Sequence, residues 1–415
     1  MNLYIDPGTG SMLFAILIGI IGAVRYAIKI GLVKLRFILT GGKKVESNVT
    51  IPYVIFSDNR RYWNIFEPIC REFDKRGIDI VYLTASKDDP AFECGYQHVK
   101  AEFAGENNKA FAKLNFLDAD ILLSTTPGLD VYQWKRSRSV KYYVHMLHAS
   151  SDVSMYRMFG IDYYDALLLS GDFQVRDVRK LEEIRNLPEK EICIIGIPYM
   201  DEMVTRLEEY NKSKSIVSEE RVVLLAPSWG PSSILNLYGG KFIEKLLETG
   251  YHIIIRPHPQ SFDSEKELMD KLMKKYPESS QLEWNRDVDN FDVLNRADIM
   301  ISDFSGVIFD FALVYDKPII YSVGEFDKAP YDAWWLEDEV WTLDVLPKIG
   351  KSLDKNQIDS IKDVIDECID STEYAQGREQ ARNETWQYRG EGTQRAVQWL
   401  IDKHTELITN NKGDK

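Results

Sequence analysis

The feature that most constrains the fold of this chain is a repeated alternation of short apolar runs with longer amphipathic segments. Gly, Pro and small polar residues stand at the turns between them. This pattern is typical of βαβ units, in which buried parallel strands are joined by right-handed helical crossovers. Because the rhythm occurs twice along the chain, we predict an α/β fold with two parallel sheets.

The first series of apolar runs predicts six strands and two helices. The predicted strands are Tyr53–Phe56, Ile78–Leu83, Ile121–Ser124, Tyr142–Leu147, Ala166–Ser170 and Ile192–Ile195. The predicted helices are Tyr62–Phe73 and Phe173–Ile184. Ligands of parallel sheets bind at the carboxyl ends of the strands, so functional residues are expected directly after these runs.

A second series begins after residue 220 and predicts a second sheet. Its strands are Val222–Ala226, His252–Arg256, Asp298–Ser302 and Pro318–Tyr321, and its helices are Gly240–Leu247 and Val307–Val314. The charged, Ser-rich stretch that ends at Glu220 separates the two series and has the composition of a connector between domains.

The N-terminal segment has the composition of a membrane anchor. Residues 11–24 carry no charge, and the pattern stays apolar to Val33. Six bases and no acid follow between residues 25 and 44, namely Arg25, Lys29, Lys34, Arg36, Lys43 and Lys44. By the positive-inside tendency, we expect the rest of the chain on the cytoplasmic side of the membrane. A spanning helix, a helix lying flat on anionic lipid and a buried soluble helix are all left open.

The overall charge argues against one broad class of function. The chain has 51 Lys and Arg against 65 Asp and Glu, a formal net charge of -14. Nucleic-acid binding depends on neutralising phosphates with cations, so we expect no nucleic-acid partner. One local basic run, Lys135–Lys141, is either a solvated loop or a contact for lipid head groups or acceptor phosphates.

Neither the cysteines nor the paired aspartates predict a metal site. The four cysteines are Cys70, Cys94, Cys193 and Cys368, and the two D-x-D pairs are Asp118/Asp120 and Asp287/Asp289. The cysteines are scattered, and we interpret them as reduced, buried thiols. We interpret the aspartate pairs as solvated turns. No G-x-G-x-x-G or Walker A motif is present, and we predict no cofactor.

One strand end of the first series carries a candidate catalytic residue. His148 closes the run Tyr142–Leu147 and precedes small polar residues. A histidine at this place titrates near neutrality and can take a proton from an alcohol, although a structural histidine fits the position equally well. His145 lies on the opposite face of the strand, and we interpret it as structural.

Two strand ends of the second series carry groups suited to phosphate. Arg256 and His258 stand beside rigid prolines, and a fixed cation and imidazole suit negative charge on a phosphate. Residues 302–306 run from a strand into a helix N-terminus, where free N–H groups bind phosphate. Asp303 or Ser305 could equally be ordinary N-caps. Together, the two motifs predict a diphosphate site.

Three sequence blocks resemble a known family. They are VLLAPSW at residues 223–229, IRPHP at 255–259 and ISDFSGVIFDF at 301–311. In order and spacing they are similar to the CDP-glycerol glycerophosphotransferases, which include the glycerol- and ribitol-phosphate primases and polymerases of wall teichoic acid. The resemblance covers about residues 50 to 400 and implies a GT-B fold, in which two Rossmann-like domains face each other across a cleft.

The resemblance also implies roles for the candidate residues. His148 would be the general base, and His258 would stabilise the transferring or leaving phosphate. The residues implied to bind the donor are Arg256, Ser302, Asp303, Ser305, Gly306, Ser228 and Trp229. The chain departs from the family pattern at three positions: Ala149 replaces a Gly, Gly306 replaces a Ser, and Gly230 stands where the family often has Arg.

Five segments are expected, the anchor and the connector from the residue pattern, and the two domains and the returning C-terminal helix from the resemblance. They are an anchor with its basic flank at 1–45, an acceptor domain at 46–200, a connector at 201–220, a CDP-donor domain at 221–375, and a C-terminal helix at 376–415 that packs back on the first domain.

The expected reaction moves glycerol phosphate, or another polyol phosphate, from CDP-glycerol to a hydroxyl of a lipid-linked glycan or teichoic-acid acceptor at the cytoplasmic leaflet, with release of CMP. A GT-B glycosyltransferase using a nucleotide sugar and a catalytically silent membrane-bound nucleotide-binding protein are the alternatives. Glycerol against ribitol, one unit against many, the acceptor and homo-oligomerisation are left open.

Overall fold

The computed structural model describes residues 50–213, 220–287, 289–303, 305–322 and 327–413. The predicted membrane anchor lies outside these ranges. Within them, no helix combines the length and apolar character that crossing a bilayer requires.

The first sheet has seven parallel strands in the order β3-β2-β1-β4-β5-β6-β7. They are β1 Ile51–Ser57, β2 Ile80–Thr84, β3 Val99–Phe103, β4 Asp118–Ser124, β5 Ser139–Met146, β6 Ala166–Leu169 and β7 Glu191–Ile194. Both faces of β1 are covered: Val54 and Phe56 pack in one apolar cluster and Tyr53 and Ile55 in another. Such double burial explains why β1 reads as a continuous apolar run.

The second sheet has six parallel strands in the order β10-β9-β8-β11-β12-β13. They are β8 Val222–Ala226, β9 His252–Ile255, β10 Leu282–Trp284, β11 Ile299–Ser302, β12 Ile319–Tyr321 and β13 Lys351–Ser352. No apolar run of the sequence predicts β3, β10 or β13. These strands lie at sheet edges or are only three and two residues long, so they lack an extended apolar run.

Helices cover the sheets and connect the strands. They are α1 Trp63–Lys75, α2 Asn108–Leu114, α3 Phe173–Arg185, α4 Pro198–Ser213, α5 Ile234–Glu248, α6 Ser261–Ser264, α7 Lys266–Lys275, α8 Phe291–Arg296, α9 Val307–Phe309, α10 Trp341–Ile349, α11 Ile361–Asp370, α12 Ala375–Thr385 and α13 Gly392–Gly413. A π-helical turn, Asp310–Val314, continues α9. Much of the segment predicted as a connector is therefore helical, because α4 extends to Ser213.

Two interpretations of polar residues need correction. Asp120 is not in a solvated turn: it lies within β4, is 5% exposed, pairs with Lys141 at 2.5 Å and lies 2.9 Å from His404 Nε2. The cysteines are all free thiols, but only Cys70 and Cys368 are buried, while Cys94 and Cys193 are partly exposed.

Both sheets have a point at which the strand order reverses, and ligands of open α/β sheets bind there. In the first sheet this point lies between β1 and β4, and in the second it lies between β8 and β11. The residues directly after these four strands therefore stand where a ligand site is expected.

Two buried carboxylates join the half of the molecule built on the first sheet to the half built on the second. Asp152, after β5, accepts hydrogen bonds from the N–H groups of Trp341 and Thr342 at 2.7 and 2.8 Å, and so caps α10. Asp332 accepts from the N–H groups of Phe159 and Gly160 at 2.7 and 3.1 Å. These contacts fix the two halves to each other.

The chain passes from the first half to the second through α4 and returns after α12. Asp201 of α4 accepts hydrogen bonds from Trp386 Nε1 and from the N–H groups of Gly390 and Gly392, at 2.8, 2.8 and 3.0 Å. One carboxylate thus ties the outgoing and returning segments together. Beyond it, α13 packs against α1 of the first half.

Candidate active site

The side of the cleft formed by the first sheet is built around His148, which follows β5 and is half-buried. Its Nδ1 lies 2.8 Å from the hydroxyl oxygen of Thr125, which follows β4. The ring of Tyr62 contacts the imidazole edge-on, with centroids 5.0 Å apart. Neighbouring strand ends therefore hold the imidazole on two sides.

A half-buried tyrosine stands between His148 and His145. The Tyr156 hydroxyl oxygen lies 3.0 Å from His145 Nε2, and the Tyr156 ring lies 6.4 Å from the ring of His148. His145 is fully buried, consistent with the structural role expected for it. Tyr156 thus contacts both histidines, which the alternation of the strand does not indicate.

His148 is neutral at physiological pH. Burial, followed by the positive charge of Arg61, lowers the pKa of His148 to about 4. An imidazole whose Nδ1 donates its proton to Thr125 would leave Nε2 free to accept a proton from a hydroxyl. The arrangement therefore suits a general base.

The facing side of the cleft carries Arg256 and His258 after β9. Arg256 donates to Asn285 Oδ1 and, at 2.8 Å, to the carbonyl oxygen of Asp287. The N–H of Gln260 donates to His258 Nδ1 at 3.1 Å, so His258 Nε2 carries the ring proton and can donate it to a ligand. Burial, followed by the charge of Arg61, lowers the pKa of His258 to about 4.

Ser302 and Asp303 lie beneath the site rather than at its surface. Both are completely buried. The Ser302 hydroxyl donates to the carbonyl oxygen of Ala226 at 2.5 Å, and the Asp303 carboxylate accepts from the N–H groups of Ser228 and Ile234. The expected direct contact of these two side chains with a diphosphate is therefore corrected: they shape the loop after β8.

Four other candidates lie in that loop and at the start of α9. Trp229 is 43% exposed, and its ring lies 6.5 Å from that of His258. Ser228 Oγ is buried and has no hydrogen-bond partner among the described residues, as expected of a group that a ligand satisfies. Ser305 is half-buried and Gly306 exposed, at the N-terminus of α9.

The two sides of the cleft meet beside His148. A Cβ placed on Gly306 would lie 4.0 Å from the Cβ of Ala149, the residue after His148. The loop that carries the candidate base thus faces the helix N-terminus that is suited to phosphate. Two of the three positions at which the chain departs from the family pattern, Ala149 and Gly306, therefore lie next to each other.

Sequence reasoning missed the residues that follow β1 and β4. Asp58 Oδ1 is buried without a hydrogen-bond partner among the described residues, and burial raises the pKa of the Asp58 carboxyl. Tyr62 and Thr125 contact His148, and Arg61 contacts Tyr62. The signal that could have found them was their place after the two central strands of the sheet. The basic run, by contrast, includes Arg136, which pairs with Asp165 at 2.8 Å.

Comparison with known proteins gives one family and several relatives. A model of the family described as CDP-glycerol:poly(glycerophosphate) glycerophosphotransferase matches residues 161–400. A teichoic acid glycerol-phosphate primase from Bacillus spizizenii is 24% identical over 237 residues, 54% of this chain and 58% of that protein. The one from Bacillus subtilis is 22% identical over 235 residues, with the same coverage. The chain thus spans 58% of the length of the curated relatives it matches.

Solved structures show a similar fold at low identity. The wall teichoic acid polymerase TagF, soaked with CDPG, is 14% identical, with a TM-score of 0.57 over 92% of this chain and 98% of that chain. UDP-GlcNAc 2-epimerase from Methanocaldococcus jannaschii is 15% identical, with a TM-score of 0.52 over 85% and 99% of the two chains. These likenesses show an α/β fold with parallel sheets and GT-B-like neighbours.

Proposed function

The chain belongs to the CDP-glycerol:poly(glycerophosphate) glycerophosphotransferase family, and from that premise we propose that it transfers glycerol phosphate from CDP-glycerol to an acceptor hydroxyl. The observation that carries this proposal is the approach of Ala149 to Gly306, where an added Cβ would lie 4.0 Å from the Ala149 Cβ, because it sets a candidate base opposite a candidate phosphate site. CDPG is also the compound soaked into the TagF structure of similar fold.

In the proposed reaction, the acceptor oxygen attacks the β-phosphorus of CDP-glycerol. The bond from that phosphorus to the oxygen it shares with the CMP group breaks, and CMP leaves with the electron pair. His148 Nε2 takes the proton of the hydroxyl. Since His148 is uncharged near pH 7, it is ready to accept that proton without first losing one.

The second half of the cleft would hold the donor. His258 donates its Nε2 proton to a phosphate oxygen, and Arg256 supplies a fixed positive charge beside it. Ser228 Oγ, Ser305 and the N–H groups at the start of α9 bind the diphosphate. Trp229, exposed beside His258, offers a ring face to the nucleotide or polyol.

The proposed acceptor is a lipid-linked glycan or a growing teichoic-acid chain at the cytoplasmic leaflet. The apolar run of residues 11–24 and the six bases after it support a membrane anchor with the catalytic halves in the cytoplasm. Protease treatment of intact and of permeabilised cells tests this location. Cleavage of the catalytic halves in intact cells would overturn it.

The reaction is tested by measuring CMP release by the detergent-purified full chain, with and without a lipid-linked glycan acceptor. Acceptor-dependent release from CDP-glycerol is the expected result. Parallel reactions contain CDP-ribitol or UDP-sugars. Release from a UDP-sugar alone would identify a glycosyltransferase, and binding of CDP-glycerol without any release would identify a silent binding protein.

A further inference from the structure

Arg61 is a cation whose guanidinium forms no ion pair with a carboxylate in the part of the chain that the structure describes. Its charge nevertheless acts on the Asp58 carboxyl, since burial raises the pKa of that group and Arg61 opposes the rise. It belongs to the 3-10 turn Arg60–Tyr62, which follows β1, and its side chain is exposed. Its guanidinium lies 4.9 Å from the centroid of the Tyr62 ring, and its Nη2 donates to the Tyr62 hydroxyl at 3.0 Å. Tyr62 in turn contacts His148, so Arg61 stands one side chain away from the candidate base.

The neighbouring Arg60 shows the contrast. Arg60 forms an ion pair with Asp88 on the surface. For the Arg61 guanidinium, no carboxylate oxygen lies within ion-pairing distance among the described residues, and it donates to the neutral phenol of Tyr62. The backbone N–H of Arg61 donates to Asn59 Oδ1 at 3.1 Å. A planar, always charged guanidinium suits phosphate oxygens, which it can bind through two N–H groups.

The charge of Arg61 reaches both sides of the cleft. After burial, it is the second cause that lowers the pKa of His148 in the first half and the pKa of His258 in the second. Glu265 acts on His258 in the opposite direction. The contact of Tyr62 with His148 places Arg61 beside the first histidine, and the effect of Arg61 on His258 indicates that the second histidine is within reach of its charge.

We propose that Arg61 is a further catalytic residue, which reaches from the first half across the cleft and binds the non-bridging oxygens of the phosphoryl group during its transfer. This inference rests on the proposed function. Negative charge spreads over these oxygens as the acceptor oxygen approaches and CMP departs, so a cation placed there stabilises the transition state more than the bound donor. The proton still passes to His148, and the bonds formed and broken are unchanged.

The test compares Arg61→Gln with Arg60→Gln, its neighbour on the same turn, in the full detergent-purified chain. Arg61→Gln is expected to lower kcat for CMP release by about 10²–10³-fold, as for the loss of one transition-state donor. CDP-glycerol affinity, measured by calorimetry, is expected to stay within about twofold, because the donor rests mainly on the second half. Arg60→Gln is expected to leave kcat within about twofold, since exposed ion pairs contribute little.

Two further measurements separate a catalytic role from a structural one. Added guanidinium is expected to restore part of the activity of Arg61→Ala. The acid limb of kcat/KM is expected to move to higher pH in Arg61→Gln, because the loss of the positive charge raises the pKa of both histidines.

The outcomes are distinct. An inactive wild-type chain overturns the proposed function. An active wild-type chain with equal kcat in Arg61→Gln and Arg60→Gln overturns the role of Arg61 and leaves the function in place. A loss of CDP-glycerol affinity equal to the loss of kcat/KM also overturns it, because binding would then be uniform. If Arg61→Gln fails to fold, Arg61→Lys replaces it. Full activity of Arg61→Lys overturns the proposal that two guanidinium N–H groups bind the phosphoryl oxygens. A reduced kcat with unchanged CDP-glycerol affinity supports the proposal.

Discussion

At the scale of single residues, His148 and His258 share a charge state but differ in their hydrogen bonds. Both are neutral near pH 7, since burial and Arg61 lower each pKa to about 4. His258 Nδ1 accepts from a backbone N–H, which fixes its proton on Nε2. His148 Nδ1 instead meets the Thr125 hydroxyl, which can accept its proton. One imidazole is thus suited to donate and the other to accept.

His148→Ala is expected to reduce the turnover of CMP release by about 10²–10⁴-fold, the usual contribution of a general base. Affinity for CDP-glycerol should change little, because the donor groups stand on the second sheet. The matched control is His98→Ala, since His98 pairs with Asp79 at the surface. Turnover of His148→Ala equal to that of the control would show that another group is the base.

The pH dependence of kcat/KM is expected to be flat between pH 5.5 and 7.5, roughly the range in which an unperturbed histidine titrates. His148 has a lowered pKa of about 4, so it accepts a proton only above that value and loses this ability as the pH falls through it. Steady-state rates with CDP-glycerol across buffers of constant ionic strength measure this. An acid limb with its midpoint near pH 6.5 would contradict the burial of the imidazole.

At the scale of elements, the site is made where a loop after β5 meets the start of α9. Ala149 has a methyl group where the family pattern has none, and Gly306 lacks a side chain where the family pattern has Ser. The two Cβ positions would stand 4.0 Å apart. The two departures therefore form a complementary pair in space.

A double-mutant cycle tests this pairing. Gly306→Ser alone is expected to lower kcat/KM for CMP release, because the added Cβ already fills the space up to Ala149 and the hydroxyl extends one bond further towards the loop that carries His148. In the Ala149→Gly background the same change should be tolerated, with a coupling of about 0.5–3 kcal/mol, as for residues in contact. Additive effects of the two changes on kcat/KM would show that the positions are independent.

The sequence predicts the central strands of each sheet better than the edge strands. The central strands are covered on both faces, so each of them leaves an apolar run that can be recognised. The edge strand β3 includes Lys100 and Glu102 and leaves none. His148 and His258 could be found because a motif carried them, whereas Arg61 and Thr125 lie in loops whose approach to His148 depends on the order of strands in the sheet. The motif at residues 302–306 indicates Asp303 as a site residue, but only the structure shows that its side chain is buried.

At the scale of the whole molecule, buried carboxylates hold the halves in register. Asp332 is completely buried and pairs with Arg185, whose side chain is 5% exposed and also pairs with Asp162. Asp332 also accepts hydrogen bonds from two backbone N–H groups of the first half. The position of one half relative to the other therefore depends on buried, paired charges that solvent does not reach.

Asp332→Ala is expected to lower the free energy of unfolding by about 3–5 kcal/mol, because it leaves buried donors and part of a buried charge unpaired. Urea denaturation followed by tryptophan fluorescence measures the change. The control is Glu202→Ala, which removes the exposed partner of Arg71 and should cost less than about 1 kcal/mol. Equal midpoints for the two variants would mean that the Asp332 contacts do not stabilise the fold.

The carboxylate of Asp201 has a consequence for motion. It holds the outgoing and the returning segment at one place, so the two covalent links between the halves share a single pivot. Asp152 and Asp332 fasten the halves at two further places, so the halves can rotate about Asp201 only when those buried hydrogen bonds break. We therefore expect the loss of either carboxylate to release a rotation of the two halves about Asp201.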